Sequence, residues 1–265
     1  MISVKKILPL WMVLTLNLWL PSALGQQPPT SNPQPLTPIV QAVDAVGMTV
    51  ADMEHSLEFY TNVLSFEKVS DVEVWGPEYE HLQGIFGLRM RGVRLRLGKE
   101  DIELTEYLAP KGRLSPVDSR SNDYWFQHVA IIVRDMDRTY QWLRQHKVQH
   151  ASTGPQRLPD WNPNAGARLR ITSLRAAPGP GIKFLEYLAP QDGRLFPDDV
   201  QANDLLHWQT KLVIHNPEVA SQQVRAGDYR LVSPGVVTIP QNQLGFQKAV
   251  TVGNPDGHVM QLVEK

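Results

Sequence analysis

Two short stretches carry the residues best suited to chemistry. Glu103 stands in Ile102-Glu103-Leu104-Thr105-Glu106-Tyr107-Leu108, and His128 opens His128-Val129-Ala130-Ile131-Ile132-Val133. A carboxylate and an imidazole can serve as acid, base or metal ligand. The chain has no cysteine, which excludes a disulfide framework, a thiolate zinc site and a cysteine nucleophile. Any metal must therefore be held by nitrogen and oxygen. There is no Gly-rich phosphate loop, no G-x-S-x-G elbow and no H-E-x-x-H helix. Plainer readings stand beside these. A histidine on an apolar strand is by default a core residue with a local hydrogen bond. Glu103 could equally be an exposed strand residue. Glu106 and Glu186 fall on the strand face opposite positions 103 and 183, and read as structural or solvent-facing. His258 follows a turn at Asp256-Gly257 and reads as a turn-end residue. Trp161, in the loop 157–164, reads as a packed anchor or a cavity wall.

The elements that carry these residues repeat. Ile102-Glu103-Leu104-Thr105-Glu106-Tyr107-Leu108-Ala109-Pro110 returns as Ile182-Lys183-Phe184-Leu185-Glu186-Tyr187-Leu188-Ala189-Pro190, and both copies run on into Gly-Arg-Leu. The stretch 45–53 aligns without gaps on 128–136, and a weaker third copy spans 209–217. Each copy is a short β-branched run, hence a strand, followed by a helix opening at an Asp or Asn cap. Met53, Leu57, Tyr60 and Leu64 give the first helix one apolar face, and Met136, Tyr140 and Leu143 do the same for the second. Further strands are expected at 91–97, 102–108, 169–174, 182–188, 229–232, 247–252 and 258–263. The fold class is thus α+β, with tandem βαβββ units whose mixed sheets pair into a half-barrel around a cavity.

Bulk properties bound the rest. Lys plus Arg number 26 against 27 Asp plus Glu, a net charge of −1, so nothing favours nucleic acid. Lys5 and Lys6, the apolar run 7–20 and Ser22-Ala23-Leu24-Gly25 read as a cleaved signal peptide over 1–25. The run is too short for a spanning helix, so no stable membrane anchor is expected, and the mature protein is expected to be periplasmic or secreted. A Pro/Gln-rich linker covers 26–38. Three units follow, at 39–118, 119–200 and 201–265.

Val46-Gly47-Met48-Thr49-Val50-Ala51-Asp52, Phe59-Tyr60-Thr61-Asn62-Val63-Leu64-Ser65-Phe66 and the closing Asn254-Pro255-Asp256-Gly257-His258-Val259-Met260-Gln261-Leu262 resemble the vicinal oxygen chelate superfamily (glyoxalase, bleomycin resistance, extradiol dioxygenase). The likeness covers about 39–265. Its units come in alternating types. The second here starts like one type and ends like the other, with the joint near 164–166. Two accounts stand level: loss of roughly 80 residues, one repeat period, from a four-unit ancestor, or a divergent three-unit protein.

The resemblance implies two ligand positions per unit, one on the first strand and one on the last. They fall on Ala45 and Glu103, on His128 and Lys183, and on Gln209 and Gln261, with His207 on the same strand face as Gln209. His128 and Glu103 are the implied metal ligands, for a divalent Fe, Mn, Zn or Ni. Lys183, Gln209, Gln261 and His207 are the implied cavity-lining residues. An ammonium ~4 Å from a divalent ion costs about 8 kcal/mol at an effective dielectric of ~20. Lys183 is therefore expected to face Glu103 and replace the ion. The resemblance implies an exported protein acting on a small oxygenated substrate, as a metal-dependent lyase, isomerase or dioxygenase with a degraded metal site. The alternatives are a metal-free binding or sequestering protein of the bleomycin-resistance type, and a remnant of internal loss without activity. A homodimer would satisfy an unmatched third unit.

Overall fold

The computed structural model describes residues 39–150, 154–155, 168–174 and 180–265. The expected signal peptide, the linker, Trp161 and the 164–166 joint lie outside them.

The first repeat forms β1 (Val40–Thr49), α1 (Met53–Leu57) running into a π-helical turn (Glu58–Val63), β2 (Glu67–Trp75), α2 (Pro77–Gln83), β3 (Arg89–Leu97) and β4 (Glu100–Ala109). The second gives α3 (Met136–Gln145), β5 (Arg168–Leu174) and β6 (Ile182–Ala189). The third gives β7 (Trp208–Ile214), α4 (Pro217–Ala226), β8 (Arg230–Leu231), β9 (Val237–Thr238), β10 (Lys248–Gly253) and β11 (Val259–Glu264). The helix starts follow the expected caps: Asp52, Asp135 and Asn216 accept hydrogen bonds from the backbone N–H of His55, Arg138 and Val219.

One mixed nine-stranded sheet runs β2-β3-β4-β1-β7-β11-β10-β8, with β9 beside β10. β1 pairs in parallel with β4, and β7 in parallel with β11. The two halves join through antiparallel β1 and β7. The first repeat has therefore taken the third as its partner. Outside the sheet, Met53 and Leu57 of α1 pack on Val93, Leu95, Ile102 and Leu104, while Ala220 of α4 packs on Leu212, Val250 and Leu262. Inside its curve, Tyr79 and Leu82 of α2 meet Phe246, Met90, Tyr107 and Val263. Neither β2 nor α2 was expected at a stated place from the sequence, and α2 closes much of the inner face.

The second repeat is left out of this sheet. Among the described residues, β5 and β6 pair only with each other. The strand expected at 128–133 does not form: these residues join no ladder among the described residues, and Ile132 is fully exposed. A strand persists only where neighbours take its N–H and C=O groups. Beside β1 that place is held by β7. Trp142 of α3 donates Nε1–H to the Val63 carbonyl at 2.9 Å, tying the second repeat to the first.

Candidate functional site

The strand register brings the inward positions of the first and third repeats into one row. Glu103 on β4 lies opposite Gly47 on β1, and Gly47 lies opposite Gln209 on β7. Ala45 lies opposite Lys211, and Lys211 opposite Gln261 on β11. Glu103, Gln209 and Gln261 thus share one interior with His207, two residues upstream of Gln209. His128 and Lys183 do not join them. Both are exposed, His128 on the unpaired 128–134 segment and Lys183 on β6.

The cation that meets Glu103 is Lys211, not Lys183. Its Nζ donates to both Glu103 oxygens, at 2.7 and 2.6 Å. The lysine side chain is 4 % exposed and the carboxylate 17 %. Reaching from β7 to β4 means crossing β1, about 9.5 Å at two strand spacings. Only the small residues Ala45 and Gly47 stand in the way, so a long side chain passes. The Lys211 ammonium also sits 4.9 Å from the Phe246 ring centroid, a cation–π contact in a desolvated place. Sequence alignment held a signal for this residue. Lys211 is a charged side chain two residues from Gln209, on the same inward face, where the first repeat has Gly47.

Arg94 approaches the same carboxylate at 3.4 Å and anchors a wider network. It donates to Asp44 at 2.8 Å and to Asp101 at 2.7 Å, and Lys265 closes on Asp44 as well. Burial alone would raise Asp44, but the hydrogen bonds and charges of Arg94 and Lys265 outweigh it and hold the carboxyl below its ordinary value. Asp101 is treated likewise by Arg96 and Arg94.

A divalent ion does not fit this donor set. The four positions hold Ala45, Glu103, Gln209 and Gln261, one anionic ligand in all, and both its oxygens face an ammonium. No cluster of three or more His, Asp or Glu side chains suited to a metal occurs among the described residues. An ion ~4 Å from Lys211 Nζ would meet the repulsion of about 8 kcal/mol expected for any ammonium there.

A second feature opens toward the β8 edge. A cavity of ≈ 180 Å³ is lined by Gln83 at the end of α2, by Phe196 and Ala202 from the segment entering the third repeat, and by His207, Thr251 and Arg230. Gln83 Oε1, His207 Nε2 and Thr251 Oγ1 are buried and meet no hydrogen-bond partner among the described residues. Gln209 Oε1 and Gln261 Nε2, on the inner sheet face, are in the same condition. A polar group left so costs about 1–3 kcal/mol, which is the mark of a surface made to receive polar atoms. Burial pushes His207 down to about 4, so its ring is neutral at physiological pH.

His207 is placed by a crossed clamp. Arg113, just past β4, donates its backbone N–H to Asp204 at 2.7 Å and its guanidinium to Asp204 and Asp199, each at 2.7 Å. Gly112 lies so close that a Cβ there would stand 1.9 Å from the Asn203 carbonyl oxygen. Thr49 N–H then donates to the His207 carbonyl at 3.1 Å. The second repeat carries the same device: Arg194 donates its backbone N–H to Asp123 at 3.0 Å, and a Cβ on Gly193 would meet the Asn122 oxygen at 1.9 Å.

Comparison with known proteins identifies the family from the sequence. Residues 42–159 match the sequence model of the Glyoxalase/Bleomycin resistance protein/Dioxygenase superfamily. A 2-epi-5-epi-valiolone epimerase of an Actinomyces species is 32 % identical over 133 residues, covering 48 % of this chain and 70 % of that protein. Among solved structures, a methylmalonyl-CoA epimerase from Mycobacterium tuberculosis is similar at 14 % identity and a TM-score of 0.38, covering 86 % of this chain and 90 % of that one. A superfamily member from Vibrio splendidus 12B01 is similar at 12 % identity and a TM-score of 0.32, covering 83 % and 97 %. On its sequence, the chain belongs to the Glyoxalase/Bleomycin resistance protein/Dioxygenase superfamily.

Proposed function

We propose that this chain is a metal-independent small-molecule-binding protein of the superfamily, taking a neutral, oxygen-rich ligand in the His207 cavity. One observation carries the reading: Lys211 binds both oxygens of Glu103, the only acidic residue among the four inward positions. The unpartnered Gln83, His207 and Thr251 groups supply acceptors and donors suited to hydroxyl and carbonyl oxygens. Arg230, also in the lining, adds a donor for such oxygens. The N-terminal signal pattern supports a periplasmic or secreted location, and mature protein beginning at Gln26 would bear that out.

The test is equilibrium dialysis of the full chain against Fe²⁺, Mn²⁺, Zn²⁺ and Ni²⁺, with calorimetry against a panel of polyols and hydroxy-oxo acids. Binding of a panel compound that is lost in His207→Ala, with no stoichiometric metal, is the expected result. One tightly held divalent ion per chain would overturn it.

A second reading, isomerase activity, is favoured by the likeness to the valiolone epimerase. Epimerisation needs a proton acceptor matched to neutral pH. His207 at about 4 is a weak one, and Glu103 is engaged by Lys211. Solvent deuterium exchange into a bound hydroxy-oxo compound would support this reading over binding alone.

A further inference from the structure

We propose that the second repeat holds one wall of the His207 cavity in place, with Arg194 as the positioning residue that seats Phe196. This use of the repeat rests on the reading of the cavity as a ligand site, but whether the wall is held can be measured without a ligand.

The wall is a short segment between two clamps. Phe196, Pro197, Val200 and Ala202 all line the cavity. Downstream, Asp199 and Asp204 are held by Arg113 of the first repeat. Upstream, the anchor is Arg194. Its guanidinium donates to both oxygens of Asp118 at 3.0 Å and to Asp123 at 2.6 Å, and it lies 4.8 Å from the Trp125 ring centroid. Its carbonyl accepts from the Tyr124 N–H at 3.0 Å. These partners all fall within 118–125, the stretch that leads into the second repeat, and none of them lines the cavity. Leu195, between Arg194 and Phe196, is 72 % exposed and adds little hold of its own.

The sequence shows a division of labour. The stretches 112–126 and 193–207 align without gaps. Each lends its arginine to the same two aspartate positions of the other: Arg113 to Asp199 and Asp204, Arg194 to Asp118 and Asp123. The lining positions differ. Phe196 and His207 align with Ser115 and Phe126. The earlier stretch thus keeps the brace and lacks both the aromatic wall and the imidazole.

The seat of Phe196 is tight. Its ring meets His258 edge-on at 6.1 Å between centroids, and a Cβ on Gly257 would overlap it. With the ring seated, His207 Nε2 is buried. Unseating requires 194–197 to move away from the turn at Gly257, and the charged hydrogen bonds of Arg194 oppose that movement. Local opening of the outlying second repeat releases Asp118 and Asp123, so the cavity opens with it. By reciprocity, a compound held behind Phe196 would slow that opening.

Two measurements on the full chain follow the wall directly. 4-Fluorophenylalanine at position 196 reports the seat by fluorine NMR. Diethyl pyrocarbonate, which acylates neutral imidazole nitrogen, reports access to His207. In Arg194→Ala the fluorine resonance should move toward that of the same label at the exposed position 86. His207 should be modified at least about ten-fold faster, the factor for one lost charge-assisted hydrogen bond. The exposed His81 should react at its wild-type rate and amide exchange over 208–214 should not change, which separates an unseated wall from general loosening. Arg194→Lys keeps the charge without the planar fork and should fall between the two. Should Arg194→Ala fail to fold, Asp118→Asn removes one partner at a carboxylate 74 % exposed. It should quicken His207 modification about three-fold, as for a surface ion pair. An unchanged fluorine signal and His207 rate in these variants, or His207 and the 208–214 amides quickening together, would overturn the proposal.

Discussion

The hairpins β3–β4 and β5–β6 are repeat counterparts that share 8 of 15 aligned strand residues (89–95 with 168–174, 102–109 with 182–189), but they have opposite fates. Both take the same register, with the same irregularity where Arg89 passes to Met90 and Arg168 to Leu169. Yet Leu104 is fully buried and Phe184 is half exposed. Local sequence is enough to set pairing and register within a hairpin. Burial is decided by what lies beside it, and only the first hairpin has β1 against its edge. The largest expected effect follows. Leu104→Ala should cost about 2–5 kcal/mol, the range for a large core side chain cut to alanine. Phe184→Ala should cost under about 1 kcal/mol. Equal losses in chemical denaturation would mean that the second hairpin is as enclosed as the first.

The two lysines sharpen the same contrast. Lys211→Met leaves Glu103 without its main partner, and Arg94 at 3.4 Å compensates only in part. A loss of about 3 kcal/mol is expected, the low end for an orphaned buried charge, because Glu103 retains some solvent. Adding Glu103→Gln should recover most of it. Lys183→Met should stay within about 0.5 kcal/mol, as for an exposed side chain. Thermal and urea unfolding of the three variants check this.

Much of this was legible in the sequence, and the misses have one cause. The repeat, the three helix caps and nine of the strands follow from periodicity and alignment, which are local properties, and the family resemblance implies the inward positions Glu103, Gln209, Gln261 and His207. The strand expected at 128–133 and the expected partnership of Lys183 with Glu103 both assumed that the second repeat pairs with the first. Which repeat sits beside β1 is a non-local choice that periodicity does not encode. Lys211 was overlooked for a related reason: it occupies no ligand position of its own unit and matters only because Ala45 and Gly47 leave a path across β1. The His207 cavity depends on α2, whose place the sequence does not announce, and on how the segment at 196–202 packs against it, which is again a non-local choice.

His207 separates the interiors by pH. Its folded value is about 4 and its unfolded value 6.5, because burial disfavours the imidazolium. Above pH 6.5 both states are neutral and the residue contributes nothing. As pH falls toward 4 the unfolded chain takes up a proton that the native chain refuses, so stability drops by about 3 kcal/mol. The carboxylates held low by arginines, Asp44 and Asp101 among them, lose their contribution only as pH falls below about 4. The window from 6.5 to 4 is therefore assigned to His207. Urea midpoints across it should flatten in His207→Gln, and an unchanged slope would assign the loss elsewhere.

The paired clamps give the smallest effect and the finest discrimination. Asp204 accepts from the Arg113 backbone at 2.7 Å and from Gln201 N–H at 3.0 Å; Asp123 accepts from the Arg194 backbone at 3.0 Å and from Arg120 N–H at 2.7 Å. Both carboxylates are almost fully buried, at 2 % and 3 % exposure. Contact by contact, Asp→Asn should weaken each by about 1–2 kcal/mol, the worth of a charge-assisted hydrogen bond set against a neutral one. What differs is where the loss registers. Asp204 holds the entry to β7, which is central to the large sheet, so Asp204→Asn should lower global stability by the full amount. Asp123 holds the outlying hairpin, which can open without the sheet, so its loss should appear as faster amide exchange in 168–174 and 182–189. The global midpoint of Asp123→Asn should then move by less than about 0.5 kcal/mol. Equal global losses in the two variants would show that the second repeat unfolds as one cooperative unit with the sheet, and that its exposed hairpin is firmly tied to the rest.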